Sequence, residues 1–214
     1  MQIVTSTAPE LTIVGRSTSH FTRVARIFAL ESGLICSFEV VRDLRQSEEG
    51  SYAGNPALRV PILRTARGTW FGALNICREL SRRASAPPRM VWPEQLQEPL
   101  VANAQELVVQ AMSTEVTLLM SRVFGTPDDD AHLLKLRRSL SNSVEWLERH
   151  VEEALAQLPA NRDSSYLELT LYCLVRHLPF RDVMSTDPYP RLNAFCSHFE
   201  LRPAVRDTAY HVDA

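Results

Sequence analysis

The chain has 214 residues, 45% of them hydrophobic and 22% charged, with a formal net charge of −2. That balance excludes a chain that wraps nucleic acid by excess basic charge, and it carries enough apolar surface to exclude disorder. No apolar run approaches the ~20 residues that span a bilayer, and the length allows one large domain or two small ones, at roughly 100–200 residues each.

Gln2 to Thr5 reads as a weak strand and Leu11 to Val14 as a stronger one, ended by Gly15. From Ser19 the pattern turns helical, with Phe21, Val24, Ala25, Phe28 and Ala29 on one face. Thr18 or Ser19 can cap that helix, and Gly33 stands where a C′ glycine belongs. Ile35 to Val41 is a second strand, so the opening is a β-α-β crossover with a parallel pair. Arg42 to Leu58 is a polar loop with room for one helical turn. Val60 to Leu63 is a third strand, and Pro61 restricts it to an edge, a strand end or a cis turn. Arg67-Gly68 turns the chain into Thr69 to Phe71, followed by a helix over Ala73 to Arg83 with Leu74, Cys77 and Leu80 on one face.

Ser81 to Pro93 carries Pro87, Pro88 and Pro93 without periodicity and reads as a linker. Long helical stretches follow: Glu94 to Phe124 with a break near Pro99, Asp129 to Leu158, Ser164 to Leu178, Pro190 to His198, and a short one from Arg202. Asp128, Asp129 and Asp130 suit a helix N-terminus, and Ser165-x-x-Glu168 has capping-box spacing. Six of the seven glycines lie between Gly15 and Gly72. A glycine-punctuated first third and a glycine-poor remainder fit a mixed α/β unit joined to a helical one.

The basic charge is almost all arginine, with Lys135 the only lysine, and its spread along the chain reads as codon bias. The four cysteines, Cys36, Cys77, Cys173 and Cys196, never fall at CxxC spacing, which argues against a metal cluster. The first ten residues lack a charged n-region and an apolar h-region. Idle thiols in a reducing cytoplasm are the expectation.

A β-α-β–β-β-α unit, a proline-bearing linker and an all-helical domain together resemble the cytosolic glutathione transferase superfamily. The resemblance covers about Leu11 to Val205. Asn55-Pro56-Ala57-Leu58-Arg59-Val60-Pro61-Ile62-Leu63 is its most specific segment and is similar to the family's Asn-Pro-x-x-x-Val-Pro-x-Leu. Gly15 through Arg26 resembles the first strand-to-helix turn of the serine-type, theta- or zeta-like classes, with Arg23, Arg26 and the Glu31, Gly33, Leu34 ending in place. Trp92-Pro93, the Ser165–Glu168 box, Tyr189-Pro190-Arg191-Leu192 and Arg202-Pro203-Ala204-Val205 agree in outline.

The resemblance implies a thioredoxin-like domain over residues 10–84, a linker over 85–93 and a helical domain over 94–210. It also implies glutathione as co-substrate, a small-molecule electrophile as partner, a homodimer, and no nucleic acid or membrane. Ser19 would face the glutathione sulfur, the Val60-Pro61 bond would be cis, and the Val60 backbone would pair with the cysteinyl backbone. Gly72 and Ala73 stand where the family has Glu/Gln-Ser holding the γ-glutamyl group. There the helix N–H groups remain, and two polar side chains do not.

Each candidate also has an ordinary reading. Ser19 is a helix cap or a thiol-activating hydroxyl, and Thr18 is an alternative donor or, with His20, a residue of the substrate pocket. His20 lines the substrate pocket and supplies a proton, or is an exposed residue at the helix start. Trp70 and Phe71 belong to the sheet core or gate the pocket, and Cys77 is core. Arg16, Arg23 and Arg26 attract carboxylates, or form a solvated face. Two functions compete: an enzyme that transfers, isomerises or reduces with an activated thiol, and a binding protein that kept the fold with a weakened glutathione site.

Overall fold

The structure, a computed structural model, describes residues 11–213. The segment read as a strand at Gln2 to Thr5 lies outside them. The described chain forms two compact units, one running through Pro87 and rejoined by the segment from Asp207, the other Pro88–Arg206. That last segment groups with the α/β unit because Ser17 and Arg23 hold it.

The first unit runs β1 (Leu11–Gly15), α1 (His20–Glu31), β2 (Ser37–Val40), β3 (Ile62–Thr65), β4 (Gly68–Phe71) and α2 (Ala73–Arg83). The sheet order is β2-β1-β3-β4. β1 and β2 are parallel, as a crossover requires, and the other two pairings are antiparallel. The apolar stripe of α1 places Val24, Ala25, Ile27, Phe28 and Ala29 in the core, and α2 adds Ile76, Cys77 and Leu80. A separate cluster of Val14, Val41, Tyr52 and Ile62 pins the long loop, whose one helical turn is Glu49–Tyr52. Within it the Tyr52 hydroxyl donates to the Leu44 carbonyl at 2.8 Å, which satisfies the polar end of an otherwise apolar plug.

Two sequence expectations need correction here. The third strand begins at Ile62 and not at Val60, because the Val60-Pro61 peptide is cis and turns the chain before pairing starts. Trp70 and Phe71 are half-buried rather than core, since among the described residues β4 is an edge strand with only β3 beside it. The Arg82 guanidinium lies 5.2 Å from the Trp70 ring centre and covers part of it.

The second unit is helical: α3 (Pro99–Val123), α4 (Ala131–Ala156), α5 (Tyr166–Phe180), α6 (Pro190–Phe199) and α7 (Pro203–Arg206). Helix α5 is buried around most of its circumference, as its run of leucines demands. Its start is fastened by Ser165, whose Oγ accepts the Glu168 N–H at 3.1 Å and donates to the Glu168 carboxylate at 2.8 Å. Glu168 also reaches Arg162 at 2.8 Å. Asp130 caps α4 by accepting from the His132 and Leu133 amides. The stretch read as a linker holds a strand, β5 (Met90–Val91), parallel to β6 (Ser164–Ser165). Two residues are too few to show a period in sequence. Arg89 and Asp163 clamp this ladder, with the Arg89 N–H donating to the Asp163 carboxylate at 2.7 Å and the guanidinium bonding it at 2.6 Å. Among the described residues no helix is long and apolar enough to cross a membrane.

Gly15 is set by a close approach. A Cβ there would lie 2.5 Å from the Thr22 hydroxyl and methyl, and Thr22 is 0% exposed, so it has nowhere to turn. Gly15→Ala should destabilise the protein by about 1–3 kcal/mol, read as a lower urea midpoint; an unchanged midpoint would refute this packing. The guanidinium hydrogen bonds of Arg89, then its backbone N–H, hold Asp163 down at about 2. The folded-state pKa lies below the unfolded one, so the contribution is complete above about pH 4 and is lost as pH falls toward 2. Denaturant midpoints measured from pH 6 to 2 should therefore fall more steeply for the native chain than for Asp163→Asn, and parallel curves would count against the clamp.

Candidate functional site

Strand register gathers the sequence-predicted residues of the first unit. Val14 pairs with Ile62, and Ile62 with Phe71. Because β3 is antiparallel to both neighbours, the end of β1, the start of β3 and the end of β4 share one edge of the sheet. Three segments follow or precede those ends directly: the turn 16–19 with Ser19, the Val60-Pro61 bond, and Gly72-Ala73. The Gly72 N–H donates to the Pro61 carbonyl at 3.3 Å and ties two of them together.

The first segment is shaped by Thr22. Its hydroxyl accepts the Arg16 N–H at 3.4 Å, while its own N–H donates to Ser19 Oγ at 3.2 Å. Ser19 is thus the N-cap of α1, as one reading of the sequence has it. That role spends an acceptor lone pair. A hydroxyl also has one O–H to donate, so capping and donation to a sulfur are compatible. An N–H bonded into the oxygen polarises the O–H and strengthens it as a donor.

The second segment explains the Asn-Pro spelling of the loop. The Asn55 side-chain amide donates to the Arg59 carbonyl at 2.7 Å and its oxygen accepts the Ala57 N–H at 3.0 Å. One buried side chain therefore fixes the residues that lead into the cis Val60-Pro61 bond. At the third segment Gly72 has φ +80° and caps α2 with no side-chain bond. The first amides of α2 lack intrahelical partners by geometry.

The flanking residues differ from expectation. Thr18 is buried, and His20 is 1% exposed where an exposed helix-start histidine was one reading. Arg23, read by default as part of a solvated face, is 5% exposed, because the Tyr210 ring lies 4.2 Å from its guanidinium. Arg26 stacks over Phe38 at 4.5 Å. Burial lowers the Arg26 pKa, Asp213 opposes that shift, and Arg23 adds to it. The Ser17 N–H donates to Asp213 Oδ2 at 2.9 Å across 196 positions. Sequence reading missed Tyr210 and Asp213, whose separation from α1 leaves no local pattern.

The helical unit holds a second arrangement unseen in sequence. His177 Nδ1 and Glu115 Oε1 are 2.7 Å apart, and both side chains are buried. They lie 62 positions apart on α5 and α3. Three of the four cysteines are buried, and burial pushes the half-buried Cys36 thiol up to about 11, away from the reactive thiolate range.

No family model and no curated protein matches the sequence. The fold does have matches among solved structures. A glutathione transferase family member from Pseudomonas fluorescens with bound glutathione is 17% identical with a TM-score of 0.77, covering 94% of this chain and 100% of that one. A glutathione S-transferase from Methylobacillus flagellatus with glutathione bound is 17% identical with a TM-score of 0.73, over 94% and 100%. One from Methylobacterium radiotolerans in complex with glutathione sulfonate is 16% identical with a TM-score of 0.72, over 95% and 96%. The chain therefore has the glutathione transferase fold, a thioredoxin-like α/β unit followed by an all-helical one.

Proposed function

We propose that this chain is a divergent member of the glutathione transferase superfamily that binds glutathione at the sheet edge of its first unit and activates the thiol through Ser19. The observation that carries this reading is the convergence of the Ser19 turn, the cis Val60-Pro61 bond and the α2 start, Gly72-Ala73, at one edge. Bound glutathione in structures of the same fold supports it.

In this mechanism the backbone at Val60 pairs with the cysteinyl backbone of glutathione. The amides at the start of α2 take the γ-glutamyl carboxylate, which suits the positive end of the helix dipole. The Ser19 hydroxyl donates to the sulfur, and the N-terminal end of α1 adds positive potential. Both favour thiolate over thiol and lower the pKa from the free value of about 8.5. The thiolate then attacks an electrophilic carbon, forming the S–C bond while the leaving group departs with its electron pair.

A second reading has a specific observation behind it. Gly72 and Ala73 supply no polar side chain, and two missing contacts at ~1–3 kcal/mol each weaken binding by orders of magnitude. On that reading the chain is a non-catalytic binding protein that kept the fold.

Glutathione separates the two readings. At a concentration ten times its Kd it should stabilise the protein by about 1.4 kcal/mol, raising Tm by about 3 °C. No rise at ~10 mM would favour the binding protein. Ser19→Ala should cut kcat/KM toward a dinitrophenyl halide about a hundredfold, and unchanged turnover removes Ser19 from the mechanism. Gly72→Glu with Ala73→Ser should tighten glutathione about thirtyfold or more. A Cβ at Gly72 meets nothing within 4 Å, but φ +80° strains any side-chain-bearing residue, so about 1–3 kcal/mol of stability is lost alongside. A Kd that does not fall would overturn the placement of the γ-glutamyl group.

A further inference from the structure

The segment from Asp207 leaves the helices and returns to the first unit. It has no regular secondary structure, and anchored and exposed residues are interleaved along it. Thr208 is buried, the Tyr210 ring stacks on Arg23, and the Asp213 carboxylate, 8% exposed, accepts the Ser17 N–H. Between them Ala209, His211 and Val212 face solvent. This is a strap fastened at three points, not a packed element.

Its last fastening is chemically loaded. Ser17 lies two residues before Ser19, in the same turn at the positive end of α1. Asp213 brings a negative charge to that turn through an amide that is itself part of it. The other Asp213 oxygen lies 3.9 Å from the exposed His211 ring, and Arg26, with Arg23 beside it, supplies the nearby positive charge. A carboxylate placed here favours neutral over anionic forms of any group at the turn. It acts in the opposite sense to the Ser19 hydroxyl and the α1 dipole.

We propose that residues 207–213 form an anionic strap whose Asp213 carboxylate clamps the β1–α1 turn and restrains thiolate formation at Ser19. The strap rests on the glutathione reading above for its consequence, and on the Ser17 and Arg23 contacts for its existence. Release of Asp213 gives the turn back its full positive potential without moving Ser19 from the helix start. The activity of the site is thereby coupled to whether the strap is seated.

Two variants of the full chain test this. Asp213→Asn keeps an acceptor for Ser17 and removes the charge, whereas Asp213→Ala removes both. Amide hydrogen exchange followed by NMR reads the clamp without ligand. The Ser17 N–H should exchange about tenfold faster in Asp213→Ala than in the native chain, and equal rates overturn the clamp. Ultraviolet thiolate absorbance of bound glutathione against pH reads the restraint. The bound thiol pKa should fall by about half to one unit in both variants, raising the thiolate fraction near neutral pH about threefold or more. A thiolate signal with an unchanged or higher pKa overturns the restraint while sparing the glutathione reading. Absence of any thiolate signal in the native chain and both variants overturns the glutathione reading and the restraint with it.

Discussion

The pairing of Ile62 with both Val14 and Phe71 is the constraint on which the candidate site depends. One residue of slip on either side of β3 would turn every side chain of the displaced strand to the opposite face. It would also move the loops at the strand ends by one residue relative to one another. The register is held by burial, since Val14 and Ile62 belong to one cluster with Val41 and Tyr52. Tyr52 comes from the long loop, so the loop that delivers Asn55 and Val60 is fastened by the same apolar plug that fixes the strands. Fold and site share those contacts, and a core substitution there is also a site substitution.

Much of the fold was legible because its signals are local. The apolar stripe of α1, the Asp130 cap of α4 and the Ser165–Glu168 box are each spelled within one or two helical turns. The cis bond was legible only through the Asn55 to Leu63 resemblance, because proline allows either isomer and its neighbours alone do not choose. What stayed hidden is non-local. Met90–Val91 becomes a strand because Ser164–Ser165 runs beside it, 74 positions away. Arg23 leaves solvent because Tyr210 covers it. His177 meets Glu115 because α3 and α5 pack together. A period or a cap cannot announce such partners.

Ser19 shows how two readings that compete in sequence can merge in structure. The choice between a cap and a catalytic hydroxyl assumes that the oxygen has one task. Its bond from the Thr22 amide is an accepted bond, and the donor side of the group is chemically distinct. The cap also fixes the side chain, which removes rotamer freedom that a donor would otherwise lose on binding. Thr22 therefore holds the Ser19 oxygen at the helix start, and Gly15 is the residue that lets Thr22 come close enough to do so.

Gly72 is where energetics and geometry separate. The backbone there sits at φ +80°, which glycine adopts without penalty and other residues adopt at a cost of about 1–3 kcal/mol. A side chain that grips a ligand returns about 1–3 kcal/mol per hydrogen bond, and more when the ligand group is charged. The strain is a cost to folding and the contact is a gain on binding, so the two are read in different measurements, stability and Kd. The space around a Cβ at Gly72 is open. What remains for an anionic ligand is the backbone: the amides that open α2, the cis bond beside them, and a turn at α1 whose positive end is already shared with Asp213. On the proposed function, main-chain geometry would carry the affinity at this site, and the Asp213 carboxylate would set the potential at the α1 turn.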